Sequence, residues 1–246
     1  EAAKNYLEHI PGIVKLNTGT LVLIHSLWKN KTGILLPVCD IQGHVIAINA
    51  RFDNPDTSGK YRLLSSARYN GPKAHHTIHF PRPPQRDEII RITEGELKSD
   101  IATELTGILT LSVPGTGSWR LVLPVIKELV KNSNGRLKQI RLAFDMDSYT
   151  NPYVARSLLA LTEEVMEFSQ SYEVGIEIWN WENKLEYKGI DDALISKKEI
   201  NLYVDRELIK TLEDIKHTAG IDTEDEIIEN LFVNLRINPD KRSLAD

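Results

Sequence analysis

Acidic residues end two apolar segments of the sequence. Glu94 follows residues 89–93, and Asp145 and Asp147 follow residues 140–144. Apolar, β-branched runs of this length are typical of buried parallel strands, and ligands of open α/β sheets bind at the carboxyl ends of such strands. Alternate residues of an extended segment point to the same side. The pattern therefore predicts a cluster of three carboxylates at one edge of a sheet.

A cluster of this kind needs a counter-ion. Two carboxylates about 5 Å apart repel each other by roughly 3 kcal/mol at an effective dielectric constant of about 20. Hard divalent cations prefer oxygen ligands, so we expect Mg²⁺ or Mn²⁺ at this site. Glu94 is also a candidate general base towards an attacking hydroxyl. The alternative is that the three acids are solvated caps of loops.

The surrounding pattern predicts the elements that position these acids. Apolar residues at helical spacing follow Glu94, and further strands are predicted over residues 108–113 and 174–178. Helices are predicted over residues 119–130 and 152–168. This alternation indicates an α/β fold with a mostly parallel sheet and helices on both faces. The strand at 174–178 carries glutamates on one side, so we expect it to be half exposed near an edge.

The motifs resemble those of a known family. Glu94-Gly95 followed by Asp145-x-Asp147 is similar to the two-part signature of toprim domains, shared by bacterial-type primases, topoisomerases, old-type nucleases and recombination mediators. Residues 33–47 and 59–66 resemble the basic subdomain that precedes toprim in bacterial-type primases. Residues 188–192 resemble the acidic element that follows the sheet. The likeness covers about residues 30–195 and is greatest to toprim-like domains of plasmid and phage replication proteins.

This resemblance implies a primase-type catalytic core of a replication protein, a nucleotidyltransferase that makes short primers from nucleoside triphosphates on single-stranded DNA. It implies divalent metal held by Glu94, Asp145 and Asp147, with Asp191 or Asp192 completing or supporting a second site. A replicative helicase is an implied candidate partner. The rival hypotheses are a toprim-type metal-dependent nuclease and a non-catalytic nucleic-acid-binding module of a replication or defence protein.

Four further residues are candidates for nucleotide binding or support: Glu96, Lys98, Gly115 and Thr116. Lys98 has two open interpretations, contact with phosphate or pairing with a neighbouring acid. A glycine-rich loop lets backbone N–H groups approach phosphate, but residues 114–118 contain no Walker motif. In primases a similar Gly-Thr loop lies beside the active site, which makes Gly115 and Thr116 candidates by resemblance.

Basic residues are concentrated in the first half of the chain. Residues 29–91 contain ten Lys or Arg against five Asp or Glu, whereas residues 199–246 contain six against twelve. Because Lys and Arg supply most non-specific affinity for nucleic acid, the basic region is the predicted nucleic-acid face. Its candidate residues are Arg51, Lys60, Tyr61, Arg62 and Arg68. The alternative is that they flank a solvated loop over residues 54–59, beside a hairpin turning at residues 42–43.

Composition divides the chain into three predicted parts. Residues 1–85 form a basic, primase-core-like subdomain, residues 86–198 the catalytic domain, and residues 199–246 a helical extension. The proline-rich stretch at residues 80–85 marks the first boundary. Two helices are predicted between residues 203 and 235. Neither a zinc ribbon nor a helicase P-loop is recognisable, so we expect template recognition to lie elsewhere or the chain to belong to a longer protein.

Several other site classes are disfavoured. No apolar stretch approaches the roughly 20 residues of a membrane span and no signal peptide is recognisable, so we expect a cytoplasmic protein without membrane contact. The single cysteine, Cys39, excludes a cysteine-built zinc site and is expected to be buried. His75, His76 and His79 lie in an extended, proline-rich segment without further metal-ligand spacing, which disfavours a histidine metal site.

Overall fold

The computed structural model describes residues 2–24, 32–57, 59–81, 86–182, 184–198, 200–203, 214–215 and 217–219. The chain divides into two compact units, Glu1–Phe80 and Pro81–Asp246. Within the described ranges, no helix is both long and apolar enough to cross a membrane. Most of the predicted C-terminal helical extension lies outside the described residues.

The first unit contains a helix, a small hairpin and a three-stranded antiparallel sheet. Its elements are α1 (Ala2–Glu8), β1 (Ile13–Lys15), β2 (Leu21–Leu23), β3 (Gly33–Cys39), β4 (Val45–Asp56) and β5 (Gly59–Leu63). Apolar side chains from the hairpin and from the sheet meet in one buried cluster, which supplies the hydrophobic stabilisation of this unit. The cluster comprises Val14, Ile24, Ala50, Phe52 and Leu64.

The hairpin of β4 and β5 differs from the sequence expectation. The sequence predicts a loop over residues 54–59, but β4 continues to Asp56, which pairs with Gly59. A register shift between Arg51 and Asp56 accommodates the extra residues. Turn-forming residue types therefore occur inside this strand because the shift relaxes its regular pairing.

Cys39 and His79 have structural roles in the first unit. Cys39 is half-buried rather than fully buried. Its backbone N–H donates to Nδ1 of His79 at 3.0 Å, and its carbonyl accepts from the N–H of Phe80 at 2.9 Å. His79 is itself buried. These bonds fasten the end of the proline-rich segment to β3.

The second unit has the predicted α/β architecture. The strands among its described residues are β6 (Arg86–Glu94), β7 (Ile108–Val113), β8 (Gln139–Leu142), β9 (Gly175–Asn180) and β10 (Asn201–Tyr203). They lie in the order β10-β9-β8-β6-β7. Strands β7, β6, β8 and β9 run parallel, and β10 is antiparallel to β9. The sequence prediction of a mostly parallel sheet flanked by helices is confirmed.

The helices of this unit pack in two pairs, α2 with α5 and α3 with α4. Their bounds are α2 (Glu96–Thr106), α3 (Val122–Asn132), α4 (Pro152–Tyr172) and α5 (Ile190–Ile195). The side chain of Asn151 accepts from the N–H of Tyr153 at the start of α4, as its type and position predict. A 3₁₀ turn at Thr116–Leu121 precedes α3, so the α-helix begins later than predicted.

A row of buried and partly buried charged side chains crosses the centre of the sheet. Arg91, Arg141 and Glu177 are neighbours on β6, β8 and β9. Arg141 Nε donates to Glu177 at 2.7 Å, and the guanidinium groups of Arg91 and Arg141 lie 4.2 and 4.8 Å from the ring centre of Trp179. Glu177 is consequently buried, and the expectation of a half-exposed strand is wrong. The prediction that Trp179 and Trp181 belong to the core is confirmed.

Candidate acidic site at the carboxyl edge of the parallel strands

Glu94 is the last residue of the central strand β6. Gly95 follows with φ +85° and ψ +133°, a backbone conformation that side-chain-bearing residues rarely adopt, and α2 begins at Glu96. The N–H of Gly95 donates to the carbonyl of Val113 on β7 at 3.0 Å. This sharp junction leaves the Glu94 side chain at the carboxyl edge of the sheet, 21% exposed.

Asp145 and Asp147 reach the same edge from β8. The N–H of Ala143 still donates to the carbonyl of Ile92 at 2.9 Å, so the chain remains beside β6 just past the end of β8. Asp145 is almost fully buried, and a 3₁₀ turn begins at Met146. Strand β8 is shorter than predicted because this turn follows it closely. Oδ1 of Asp147 is buried and has no hydrogen-bond partner among the described residues.

Two lysines lie among these acids. Lys98, on α2, places Nζ 2.5 Å from Oδ1 of Asp145 and 3.5 Å from Oε1 of Glu94. Lys188 places Nζ 2.6 Å from Oδ2 of Asp147 and 3.4 Å from Oδ2 of Asp145. Of the two interpretations of Lys98, pairing with acids is the one that the structure displays. Lys188 was not among the predicted site residues, although it is the first residue of the segment 188–192 that resembles the acidic element.

The structure separates the two aspartates at the start of α5. Asp191 is partly buried, with Oδ1 buried and without a hydrogen-bond partner among the described residues, whereas Asp192 is exposed. A Cβ on Gly189 would lie 2.5 Å from Oδ1 of Asp191 and 3.1 Å from Cε of Lys98. Gly189 thus allows Lys98 and Asp191 to approach each other. Asp191, rather than Asp192, joins the acidic cluster, which we define as Glu94, Asp145, Asp147 and Asp191.

Burial and neighbouring charge shift the pKa values of this cluster. Burial raises the pKa of Glu94 to about 7, an effect that Lys98 opposes and Asp145 and Asp147 reinforce. Burial also raises the pKa of Asp191, with a further increase from the charge of Asp192. Burial alone would lower the pKa of Lys98, but the charges of Asp145 and Glu94 raise it overall. Glu94 can therefore exchange a proton near neutral pH, whereas Lys98 remains charged there.

The residues of the cluster fit a hard divalent cation by type, since every acidic donor is a carboxylate oxygen. The buried oxygens of Asp147 and Asp191 that lack hydrogen bonds provide free acceptor capacity. In the described ranges, no three His, Cys, Asp or Glu side chains are arranged to hold an ion as they stand. The ammonium groups of Lys98 and Lys188 are the cations that the acids contact instead.

The remaining candidates of this unit lie around the cluster. Gly115 and Thr116 follow β7, the strand next to β6, and Thr116 is buried at the start of the 3₁₀ turn. Glu96 is buried in the first turn of α2. Gly117 lies against the hydroxyl of Tyr153, which would have to move to admit a Cβ there. Glu96, Gly115 and Thr116 therefore remain candidates for a supporting role around the acids.

The five basic and aromatic candidates belong to the first unit, where the structure divides them. Arg51 and Tyr61 are cross-strand partners on β4 and β5. Lys60 and Arg62 point to the other face, because side chains alternate along a strand, and the Arg62 guanidinium lies 5.7 Å from the Phe52 ring centre. Arg68 is exposed in a 3₁₀ turn. The five residues therefore do not share one sheet face.

Comparisons with known proteins place the fold. A DnaG primase catalytic domain bound to single-stranded DNA matches with a TM-score of 0.50 and 11% identity, covering 92% of this chain and 67% of that one. The zinc-binding and RNA polymerase domains of Aquifex aeolicus primase match at TM-score 0.49 and 14% identity, covering 92% of this chain and 55% of that one. The RNA polymerase domain of Mycobacterium tuberculosis DnaG matches at TM-score 0.49 and 13% identity, covering 94% and 71%.

No protein-family model matches the sequence, and the comparison with curated proteins gives no significant match. The structural match to the DNA-bound DnaG domain shows that the chain has the fold of a DnaG primase catalytic domain. The chain spans 55% of the length of the Aquifex aeolicus chain. At 11% identity, the likeness concerns the fold alone.

Proposed function

We propose that this chain is the primase-type catalytic core of a replication protein, which makes short primers from nucleoside triphosphates on single-stranded DNA with Mg²⁺ or Mn²⁺. The observation that carries the proposal is the cluster of Glu94, Asp145, Asp147 and Asp191 at the carboxyl edge of the parallel strands, in a fold shared with a DnaG catalytic domain. That DnaG domain is bound to single-stranded DNA. The proposal includes the toprim type and the plasmid or phage setting that the motifs resemble.

In the proposed reaction, Asp145 and Asp147 would hold the divalent cation, and Asp191 would contribute from the start of α5. The cation would stabilise the charge that develops on the triphosphate oxygens during phosphoryl transfer. Glu94, with a pKa raised to about 7 by burial, accepts the proton of the attacking hydroxyl at neutral pH. Lys188 is more exposed than Lys98 and is the ammonium group available to an incoming phosphate.

Partners follow from the same proposal. The template is single-stranded DNA, held in part by the basic residues of the first unit, and the substrates are nucleoside triphosphates. A replicative helicase is the proposed protein partner, on the resemblance of the motifs. Asp192 is exposed and is not a member of the acidic cluster, so we keep it only as an alternative metal ligand to Asp191.

The test is a primer-synthesis assay with labelled nucleotides, single-stranded DNA and Mn²⁺ or Mg²⁺. We expect short products from the wild type. Glu94→Gln should lose about a hundredfold or more of this activity, since a general base contributes at least that much, and Asp145→Asn should also lose activity because it removes a charge from the proposed cation site. Glu104→Gln, an exposed position on α2, is the matched control and should retain activity. Shortening of the DNA, abolished by the same two variants, would instead establish the nuclease. No metal-dependent change of either substrate would favour the binding module.

A further inference from the structure

The two lysines that contact the acidic cluster differ in how tightly their side chains are packed. Lys98 projects from the regular helix α2, its side chain is 25% exposed, and its Cε packs close to Gly189. Lys188 follows a short 3₁₀ turn, and its side chain is 37% exposed. Lys98 is therefore confined between a helix and the backbone at Gly189, whereas Lys188 has open solvent into which its ammonium group can withdraw.

Asp145 connects the two lysines, one on each carboxylate oxygen. Its Oδ1 lies 2.5 Å from Nζ of Lys98, and its Oδ2 lies 3.4 Å from Nζ of Lys188. Lys98 also reaches Glu94 at 3.5 Å, so it neutralises the side of the cluster formed by Glu94 and Asp145. Lys188 occupies the other side, between Asp145 and Asp147.

The charges of the cluster leave room for one divalent ion. Its four carboxylates carry four negative charges when ionised, and Lys98 supplies one positive charge, which leaves three negative charges once Lys188 has withdrawn. One divalent cation reduces this to a single negative charge, whereas a second would make the site positive. A second such ion beside Lys98 would place two cations within one partly buried site, where like charges repel strongly.

We propose that Lys98 is a permanent internal counter-ion that limits this cluster to one divalent cation, held by Asp147 and by Oδ2 of Asp145 after Lys188 has withdrawn. Lys98 is a positioning residue in this scheme, because it acts through Glu94 and Asp145. The inference rests on the proposed metal-dependent function and specifies how many ions that function uses.

The test counts bound Mn²⁺ on the full chain by electron paramagnetic resonance of the free ion. The wild type should bind one Mn²⁺ per chain. Lys98→Met removes the charge at nearly constant length and should bind two, whereas Lys98→Arg retains the charge and should bind one. Lys188→Met should still bind one, about tenfold more tightly, because no ammonium group has to be displaced.

Lys184→Met is the matched control, since Lys184 is an exposed lysine paired with Glu182 at 2.5 Å, and it should leave both number and affinity unchanged. Thermal unfolding checks that Lys98→Met is folded, and Lys98→Gln is measured in its place if it is not. The number of Mn²⁺ ions bound by the wild type tests the inference independently of both variants. Two Asp145-dependent ions on the wild type, or one ion on every folded neutral variant of Lys98, would overturn this inference while leaving the proposed function intact. Primer synthesis without saturable Mn²⁺ binding would overturn the inference and the metal dependence of the proposed function, but not the primase assignment. The absence of both Mn²⁺ binding and primer synthesis would overturn the inference and the proposed function together.

Discussion

Glu94 is the residue of the acidic cluster whose charge changes near neutral pH. Its pKa is about 7 in the folded chain because of burial, against an ordinary value of 4.5 when unfolded. The folded state therefore binds more protons between these two values, and stability falls as pH rises from about 4.5 through 7. Glu94→Gln should remove this loss and raise the free energy of unfolding at pH 8 by about 2 kcal/mol.

Urea denaturation at pH 5 and pH 8 checks this expectation. The difference between Glu94→Gln and the wild type should be larger at pH 8 than at pH 5, and Glu104→Gln, at an exposed position of α2, should show no such difference. A Glu94→Gln variant less stable than the wild type at pH 8 would contradict the conclusion that burial disfavours the ionised Glu94 carboxylate.

Gly95 is a second position where a single residue type is required. Its φ of +85° costs a side-chain-bearing residue energy even though a Cβ there would meet no atom within 4 Å. Gly95→Ala should therefore lower the free energy of unfolding by about 1 to 2 kcal/mol. The matched control is Gly115→Ala, which has equal space but an extended φ of 167°, and should be nearly neutral by chemical denaturation. Equal effects at both positions would contradict the conformational explanation.

At the scale of elements, the central strands contain two arginines with opposite energetic roles. Arg91 is fully buried on β6 and donates to Thr106 and Thr110, but its Nε and Nη2 have no hydrogen-bond partner among the described residues. Burial lowers its pKa to about 9, with a contribution from Arg141. Arg141, by contrast, neutralises the buried Glu177.

We therefore expect opposite effects of the same substitution. Arg91→Met should raise the free energy of unfolding by about 1 kcal/mol, because a buried charge without an acidic partner is replaced by an apolar chain. Arg141→Met should lower it by about 3 kcal/mol, because Glu177 is left as an unpaired buried charge. Urea denaturation of both variants measures these changes in the free energy of unfolding. A less stable Arg91→Met variant would mean that the surroundings of the Arg91 guanidinium stabilise its charge.

The elements also show which features can be predicted from sequence. The period of apolar residues places Glu94, Asp145 and Asp147 at strand ends, since that information is local. Three other features depend on residues that are distant in sequence. They are the partial burial of Asp191 beside an exposed Asp192, the burial of Glu177 and the position of Lys188. Lys188, for example, lies 43 residues after Asp145 in the sequence, and its carbonyl accepts from the N–H of Met146 at 3.1 Å beside the two ion pairs. No local pattern encodes such a contact.

At the scale of the whole molecule, an uneven distribution of charge accompanies a net charge of −5. If the basic first unit binds single-stranded DNA, affinity should fall with salt, by about 0.7 log units per log unit of salt for each phosphate neutralised. Lys60→Ala and Arg68→Ala, both at exposed positions, should each reduce this slope by about 0.7. Fluorescence anisotropy at several salt concentrations measures it, with Lys184→Ala of the second unit as the control. An unchanged slope in both variants would exclude these residues from the interface.

The strand order β8-β6-β7 also determines how the sheet can assemble during translation. β6 is synthesised before both of its neighbours, so β7 and then β8 must add to opposite sides of an existing strand. Glu94, Asp145 and Asp147 have thus all been translated before Lys188 exists. A nascent chain ending at β9 carries three of the acids together with Lys98. Residues 188–191 then add Lys188 and Asp191, one charge of each sign, so they complete the contacts of the site without changing its net charge.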